Sequence, residues 1–155
     1  MIQNKDFSKL YVTCIFLLLI IISLGAAIIY EKNKKEITRI IKINLYTKVE
    51  ENLNWKFSTK NSLIDAKIGQ VYKIDFNVEN NSSNKTFGKA VYEVNPNFLK
   101  KYFVEIDCFC YKKQTLLPGE KSTYSITFYL DPKIISDFKA NDIRDISISY
   151  TFLNI

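Results

Sequence analysis

The sequence predicts an all-β fold, an antiparallel β-sandwich preceded by a single N-terminal transmembrane helix. Three observations carry that reading: an uncharged apolar run at residues 11–30, two-residue alternation from about residue 40 onward, and turn signals between the alternating runs with no long amphipathic helix pattern. A chain of 155 residues, 47% of them hydrophobic, is long enough for one domain with a core plus an accessory segment.

"YVTCIFLLLIIISLGAAIIY", residues 11–30, holds no charged side chain. As a helix rising 1.5 Å per residue it spans about 30 Å, the thickness of a bilayer core. Tyr11 and Tyr30 bracket it, where amphipathic rings sit at the membrane interface. The run is too long for a cleaved signal peptide, and no small-x-small cleavage site follows it, so it reads as a retained single-pass anchor. The expected organisation is a short tail at 1–10, the transmembrane helix at 11–30, a basic stalk or helix extension at 31–39, and the β-domain at 40–155.

The formal charge is +6. Residues 31–42 contain Lys32, Lys34, Lys35, Arg39 and Lys42 against Glu31 and Glu36, and beyond them the balance is nearly even. This is a basic collar, not a basic face for nucleic acid, and no nucleic-acid motif is present. With Lys5 and Lys9 on the other side, the positive-inside rule would keep the β-domain in the cytoplasm.

The strands follow in order. Alternating or apolar runs occur at "IIKINLYTKV", "NWKFSTK", "VYKIDFNVEN", "KAVYEVN", "KYFVEID", "STYSITFYL" and "DISISYTFL". Their expected inward sets include Tyr72, Ile74, Phe76 and Val78; Tyr124, Ile126, Phe128 and Leu130; and Ile146, Ile148, Tyr150 and Phe152. "NNSSNKT" at 80–86 contains N-x-S/T triplets and reads as a solvated hairpin loop. "LPGE" at 117–120 puts Pro118 and Gly119 at the centre of a type II turn, and Asp131-Pro132 closes the next strand. Seven or eight such strands suggest a sandwich of immunoglobulin type, with a barrel as the alternative.

The chain has no His, and its one Met is Met1. Catalysis through imidazole and metal sites built on His or thioether are therefore excluded. The soft ligands are Cys14, Cys108 and Cys110. In an extended strand Cys108 and Cys110 share a face with Cα atoms about 6.6 Å apart, from ~3.3 Å per residue. That is the far edge of the disulfide range of roughly 4.4–6.8 Å, so a bond within the pair is expected to be strained and easily reduced. A slight kink would let both sulfurs close on one soft ion; Cu(I) accepts two or three thiolates, whereas structural Zn²⁺ needs four protein ligands. Burial as small apolar residues is the alternative, and Phe109 and Tyr111 read equally as ordinary aromatics. The position at a strand end, beside Lys112 and Lys113 that favour thiolate, points to an open, functional pair.

"YFVEIDCFCYKKQTLLPGE", then "FYLDP" and "ISYTF", resemble the CtaG/Cox-eleven family of cytochrome c oxidase assembly proteins. That family has a C-F-C-F/Y core after a Y-F-x-K-I-type strand and before Q-x-L-x-P-G-E. "NWKF" at 54–57 is similar to its P-W-x-F element, and "VENNSS" and "YEVNPN" to its T-N-x-S and F-N-V-x-P stretches. The resemblance covers roughly residues 40–153.

It implies a membrane-tethered Cu(I) chaperone with an immunoglobulin-like domain, supplying copper to the B site of oxidase subunit I. Copper would sit on Cys108 and Cys110, with no catalytic residue and no enzymatic step. An upstream donor chaperone, a copper-bridged homodimer, and lipid around residues 11–30 complete the implied partners. The domain would face the periplasm or the mitochondrial intermembrane space from an inner membrane, against the positive-inside count. The family's third cysteine, just after the anchor, is missing here: the stretch reads "IIYEKNKKE". Cys14 lies 16 residues before Tyr30, about 24 Å along a helix, and cannot replace it simply. Tyr124 and Ser125 stand where the family tends to have Met-Pro. The rival expectations are a membrane-tethered thiol oxidoreductase and a β-sandwich scaffold with inert cysteines.

Overall fold

A computed structural model describes residues 4–37 and 39–155. It forms two compact units, Met1–Glu36 and Ile37–Ile155. Residues 1–3 of the expected tail and residue 38 of the expected stalk lie outside the described residues.

Helix α1 is Asn4–Ile37. Within it Lys9–Lys32 has a mean hydropathy of 3.0 and is long and apolar enough to cross a membrane. Apolar side chains stand exposed all around it, from Leu10 to Ile29, which is the pattern of a helix solvated by lipid. Thr13, a polar residue in this run, donates its hydroxyl to the Leu10 carbonyl (2.7 Å). The helix fits a single-pass membrane anchor.

Among the described residues nine strands follow: β1 (Ile40–Val49), β2 (Trp55–Thr59), β3 (Leu63–Lys67), β4 (Tyr72–Asn80), β5 (Thr86–Asn95), β6 (Phe103–Cys108), β7 (Gln114–Leu116), β8 (Lys121–Leu130) and β9 (Asp145–Asn154). They form an immunoglobulin-like sandwich of a five-stranded sheet, β3-β1-β9-β5-β7, and a four-stranded sheet, β2-β4-β8-β6. Alternation dictates the core. Ile74, Phe76 and Val78 of β4, Ile126, Phe128 and Leu130 of β8, and Ile146, Ile148, Tyr150 and Phe152 of β9 are all buried, while Tyr72 and Tyr124 pack at its margin.

The pairing departs from the expected one in three places. The sandwich is not wholly antiparallel: β1 runs parallel to β9, from Lys42↔Asp145 to Val49↔Phe152. Alternation predicts no strand at β3 or β7; each is five residues or fewer, and β7 turns only Leu116 inward, too little for a period to register. Residues 80–86 are not a hairpin, because β4 and β5 lie in different sheets. This crossover is held by Asn80, which is fully buried. Its amide donates to the carbonyls of Asn84, Leu116 and Leu117, and its oxygen accepts from the backbone N–H and hydroxyl of Ser82.

Two glycines have structural reasons. Gly119 has φ +69°, as the third position of a type II turn requires, and Glu120 N donates to Leu117 O (3.0 Å) to close that turn. Gly88 lies beneath Trp55, where a Cβ would come within 2.8 Å of the indole ring. Trp55 thereby reaches Phe152 edge-on and donates its indole N–H to the Thr86 hydroxyl (2.7 Å).

Candidate metal centre

Strand β6 is an edge of the four-stranded sheet and β7 an edge of the five-stranded one. The chain crosses between them through a 3₁₀ turn, Phe109–Tyr111, so the cysteine pair sits at a lateral edge of the sandwich. What pulls this turn inward is Phe109. Its ring stacks on Tyr124 and Phe152 (both 5.6 Å between centroids) and meets Phe57 and Phe76 edge-on. Gln114 holds the turn from the other side, its amide donating to the Phe109 carbonyl (2.9 Å).

Cys108 is still extended, with φ −149° and ψ 133°, but Cys110 belongs to the tighter turn. Their Cα atoms are therefore 5.1 Å apart, not the separation of an extended pair, and the two sulfurs are joined at 1.97 Å. This Cα separation is inside the usual disulfide range, so the stretched geometry expected from an extended strand is absent. The Cys110 N–H also points at the Cys108 sulfur (3.1 Å). The sulfurs thus project together, as expected. They are not open: Cys108 is 4% and Cys110 8% exposed. Burial of Phe109 between them carries both inward.

A third group joins them. Glu105 lies with its carboxylate oxygens 3.8 and 4.0 Å from the Cys110 sulfur. One donor atom from each of Glu105, Cys108 and Cys110 lies within 4.8 Å of the others. A β-bulge makes this possible. Glu105 pairs with Phe128 and Asp107 with Thr127, leaving Ile106 as the extra residue. Without it, residues 105 and 108 would face opposite sides of the strand. With it both turn inward, and Ile106 faces solvent.

Glu105 is half-buried and clasped by tyrosines. The Tyr150 hydroxyl of β9 donates to it (2.9 Å), and the Tyr92 hydroxyl of β5 also interacts with it. Burial raises the Glu105 carboxyl above the usual glutamate range, opposed by those two hydroxyls and by the Lys100 charge. Burial and the Glu105 carboxylate push Tyr92 up to about 12 and Tyr150 well above the usual tyrosine range, so both remain hydroxyl donors.

Of the other residues singled out in the sequence, Lys113 does not face the sulfurs; its ammonium sits 3.9 Å over the Phe87 ring. Lys112 and Tyr111 are exposed. Cys14 lies in α1 as an exposed free thiol. Sequence reasoning missed Glu105 and Gln114. The available signal for Glu105 was an acid at an inward position, two residues after buried Phe103, in an otherwise apolar-in strand.

A tether-like apolar helix followed by an immunoglobulin-like sandwich, with a cluster of two sulfurs and a carboxylate able to bind a metal ion, defines the class of protein. Residues 22–154 match the family described as cytochrome c oxidase assembly protein CtaG/Cox11. The chain belongs to that family. It is similar to the cytochrome c oxidase assembly protein CtaG of Bradyrhizobium diazoefficiens, with 39% identity over 75% of this chain and 54% of the relative. The CtaG of Nitrobacter hamburgensis is 34% identical over 77% of this chain and 55% of its own length. The ctaG protein of Reclinomonas americana is 33% identical over 80% and 68%. The chain spans about half the length of the first two relatives.

Proposed function

We propose that this chain is a membrane-anchored Cu(I) chaperone that delivers copper to the B site of cytochrome c oxidase subunit I during oxidase assembly. The observation that carries the reading is the convergence of Cys108, Cys110 and Glu105 on one point at an edge of the sandwich. Two thiolates suit a soft monovalent ion, and membership of an oxidase assembly family supplies the setting. In this reading residues 11–30 span a bacterial or mitochondrial inner membrane. Residues 40–155 form the copper-binding domain in the periplasm or intermembrane space.

The chemistry follows from the residues. Two electrons and two protons from an upstream dithiol convert the Cys108–Cys110 bond to two thiols. Cys108 and Cys110 then release two protons as they take Cu(I) from a donor chaperone. Phe109 and its aromatic neighbours exclude water behind the ion. The side with Glu105 is the half-exposed one, and the ion arrives and leaves there by ligand exchange with the imidazoles of subunit I. A second copy of the chain, bridged through copper, would add the ligands that one chain lacks. No covalent bond of a substrate is made or broken, so the protein acts as a chaperone and not as an enzyme.

The joined sulfurs favour a second reading, a membrane-tethered thiol oxidoreductase. One set of measurements separates the two: Cu(I) stoichiometry of the reduced full chain in detergent, by competition with a chromogenic Cu(I) chelator, and dithiol oxidation turnover. Stoichiometric copper is expected, lost in the Cys108→Ser/Cys110→Ser variant with the circular dichroism of the sandwich unchanged. Equal copper in that variant would remove the assigned ligands, and turnover without copper binding would establish the oxidoreductase.

A further inference from the structure

The sandwich has a second feature that the copper reading does not use. Between β8 and β9 the chain makes two successive 3₁₀ turns, Pro132–Ser136 and Phe138–Ala140. Both are pinned. The Asp131 carboxylate accepts from Lys133 N (2.9 Å). Asp137 accepts from Lys139 N (3.0 Å), from the Tyr102 hydroxyl (2.6 Å) and from Lys101 Nζ (3.1 Å). Ile134 and Ala140 are fully buried. With its neighbours anchored on both sides, Phe138 is held outward and is 78% exposed, more than any other large apolar side chain among the described residues.

The same end of the sandwich gathers more apolar surface. Gly69 N donates to Leu130 O (2.9 Å), which brings the β3–β4 turn, with Val71 53% exposed, beside this segment. Asp137 ties it to the 3₁₀ turn that carries Phe98, 39% exposed. Ile40, the first residue of β1, is paired with Lys67 at this end and is 46% exposed. Lys133 and Lys139 flank Phe138 and are exposed. An aromatic ring beside lysines whose stems can lie along apolar surface is the composition of a membrane interface.

Chain reach selects the occupant. The apolar span ends at Lys32 and β1 begins at Ile40. Eight residues cover at most about 28 Å, at ~3.5 Å each. Ile40 therefore lies no farther than that from the end of the apolar span. The opposite end lies ten β8 residues away, about 33 Å.

We propose that the end of the sandwich bearing Phe138 and Val71 is a lipid-docking surface. Phe138 enters the interfacial zone of the bilayer, and Lys133 and Lys139 lie at the level of the headgroup phosphates. This goes beyond copper binding and does not depend on it.

The test uses the full chain in vesicles of phosphatidylcholine brominated at a shallow acyl position, mixed with phosphatidylglycerol. The native indole, Trp55, is buried in the core and gives the baseline. The added indoles of Phe138→Trp and Val71→Trp are expected to show blue-shifted emission that is lost to bromine quenching. That of Leu117→Trp, from an exposed position beyond the far end of β8, is expected to keep its emission. Quenching of both Phe138→Trp and Val71→Trp no greater than that of Leu117→Trp would overturn the proposal. So would shielding of these two indoles only after addition of oxidase subunit I, which would make the surface a protein-docking one.

Discussion

Two carboxylates in this molecule each accept a tyrosine hydroxyl, and their surroundings drive them in opposite directions. Asp137, in the β8–β9 connection, is met by Tyr102, Lys101 and the Lys139 N–H, and these bonds hold its carboxyl down to about 2. Glu105, at the cysteine crossover, has Tyr150 as its short partner, and burial outweighs what the tyrosines and Lys100 return. Asp137 accepts three hydrogen bonds from its own chain and serves as a clasp. Glu105 has an oxygen 3.8 Å from the Cys110 sulfur, a contact that carries no proton while the two sulfurs are joined. A polar group fully satisfied by its neighbours fixes a shape, while a partly satisfied one is the place where a ligand can add.

The largest effect expected from breaking this contrast is at Tyr150. Tyr150→Phe keeps the buried ring but removes the hydroxyl that Glu105 uses, so the domain should lose about 2 kcal/mol, the usual range for a hydrogen bond to a charged group. Chemical unfolding in detergent, followed by Trp55 fluorescence, reads this. The loss should shrink when Glu105→Gln is already present; an undiminished loss would mean that the hydroxyl matters for something other than the carboxylate. Tyr102→Phe should cost less than Tyr150→Phe in the same assay, because Lys101 and the Lys139 N–H still hold Asp137.

The smallest effects are in pH dependence, and they have opposite signs. The raised Glu105 carboxyl means that the folded chain binds more protons than the unfolded one above the ordinary glutamate value of 4.5. Its contribution to stability therefore falls as pH rises through that window. Asp137 binds fewer protons when folded. Its contribution is present above its ordinary value of 3.8 and is lost as pH falls toward about 2. Unfolding midpoints measured against pH should thus lose the descending component in Glu105→Gln and the acid-side rise in Asp137→Asn. Identical profiles for both variants would dissolve the distinction between the two carboxylates.

The long strands were legible because each turns three or four apolar side chains to one face, as β4, β8 and β9 do. Strands β3 and β7 were not, since five residues with Ala66 among the inward ones, or three with Leu116 alone, leave no period to detect. The parallel pairing of β1 with β9 joins elements about a hundred residues apart, and nothing local in either strand encodes its neighbour. At the candidate site, the spacing and chemistry of Cys108 and Cys110 were plain. Their burial was not, because it follows from the ring of Phe109 finding five aromatic partners supplied by β2, β4, β8 and β9. Glu105 escaped for a related reason. Strict alternation puts it on the face opposite Cys108, and only the extra residue, Ile106, returns the two to one side. Periodicity reports regular structure, and this site is made by a local break in it.

The position of β9 in the five-stranded sheet has a consequence for how the molecule comes into being. β9 comes after every other strand in chain order, yet it sits in the middle of its sheet and alone joins β1 to β5. While the polypeptide is being made, the cysteine crossover emerges well before the residues that will cover it, Tyr150 and Phe152. Through that interval the turn lacks the Phe152 ring that stacks on Phe109 and the Tyr150 hydroxyl that reaches Glu105. The turn that carries the cysteines is closed over when β9 slides into place between β1 and β5.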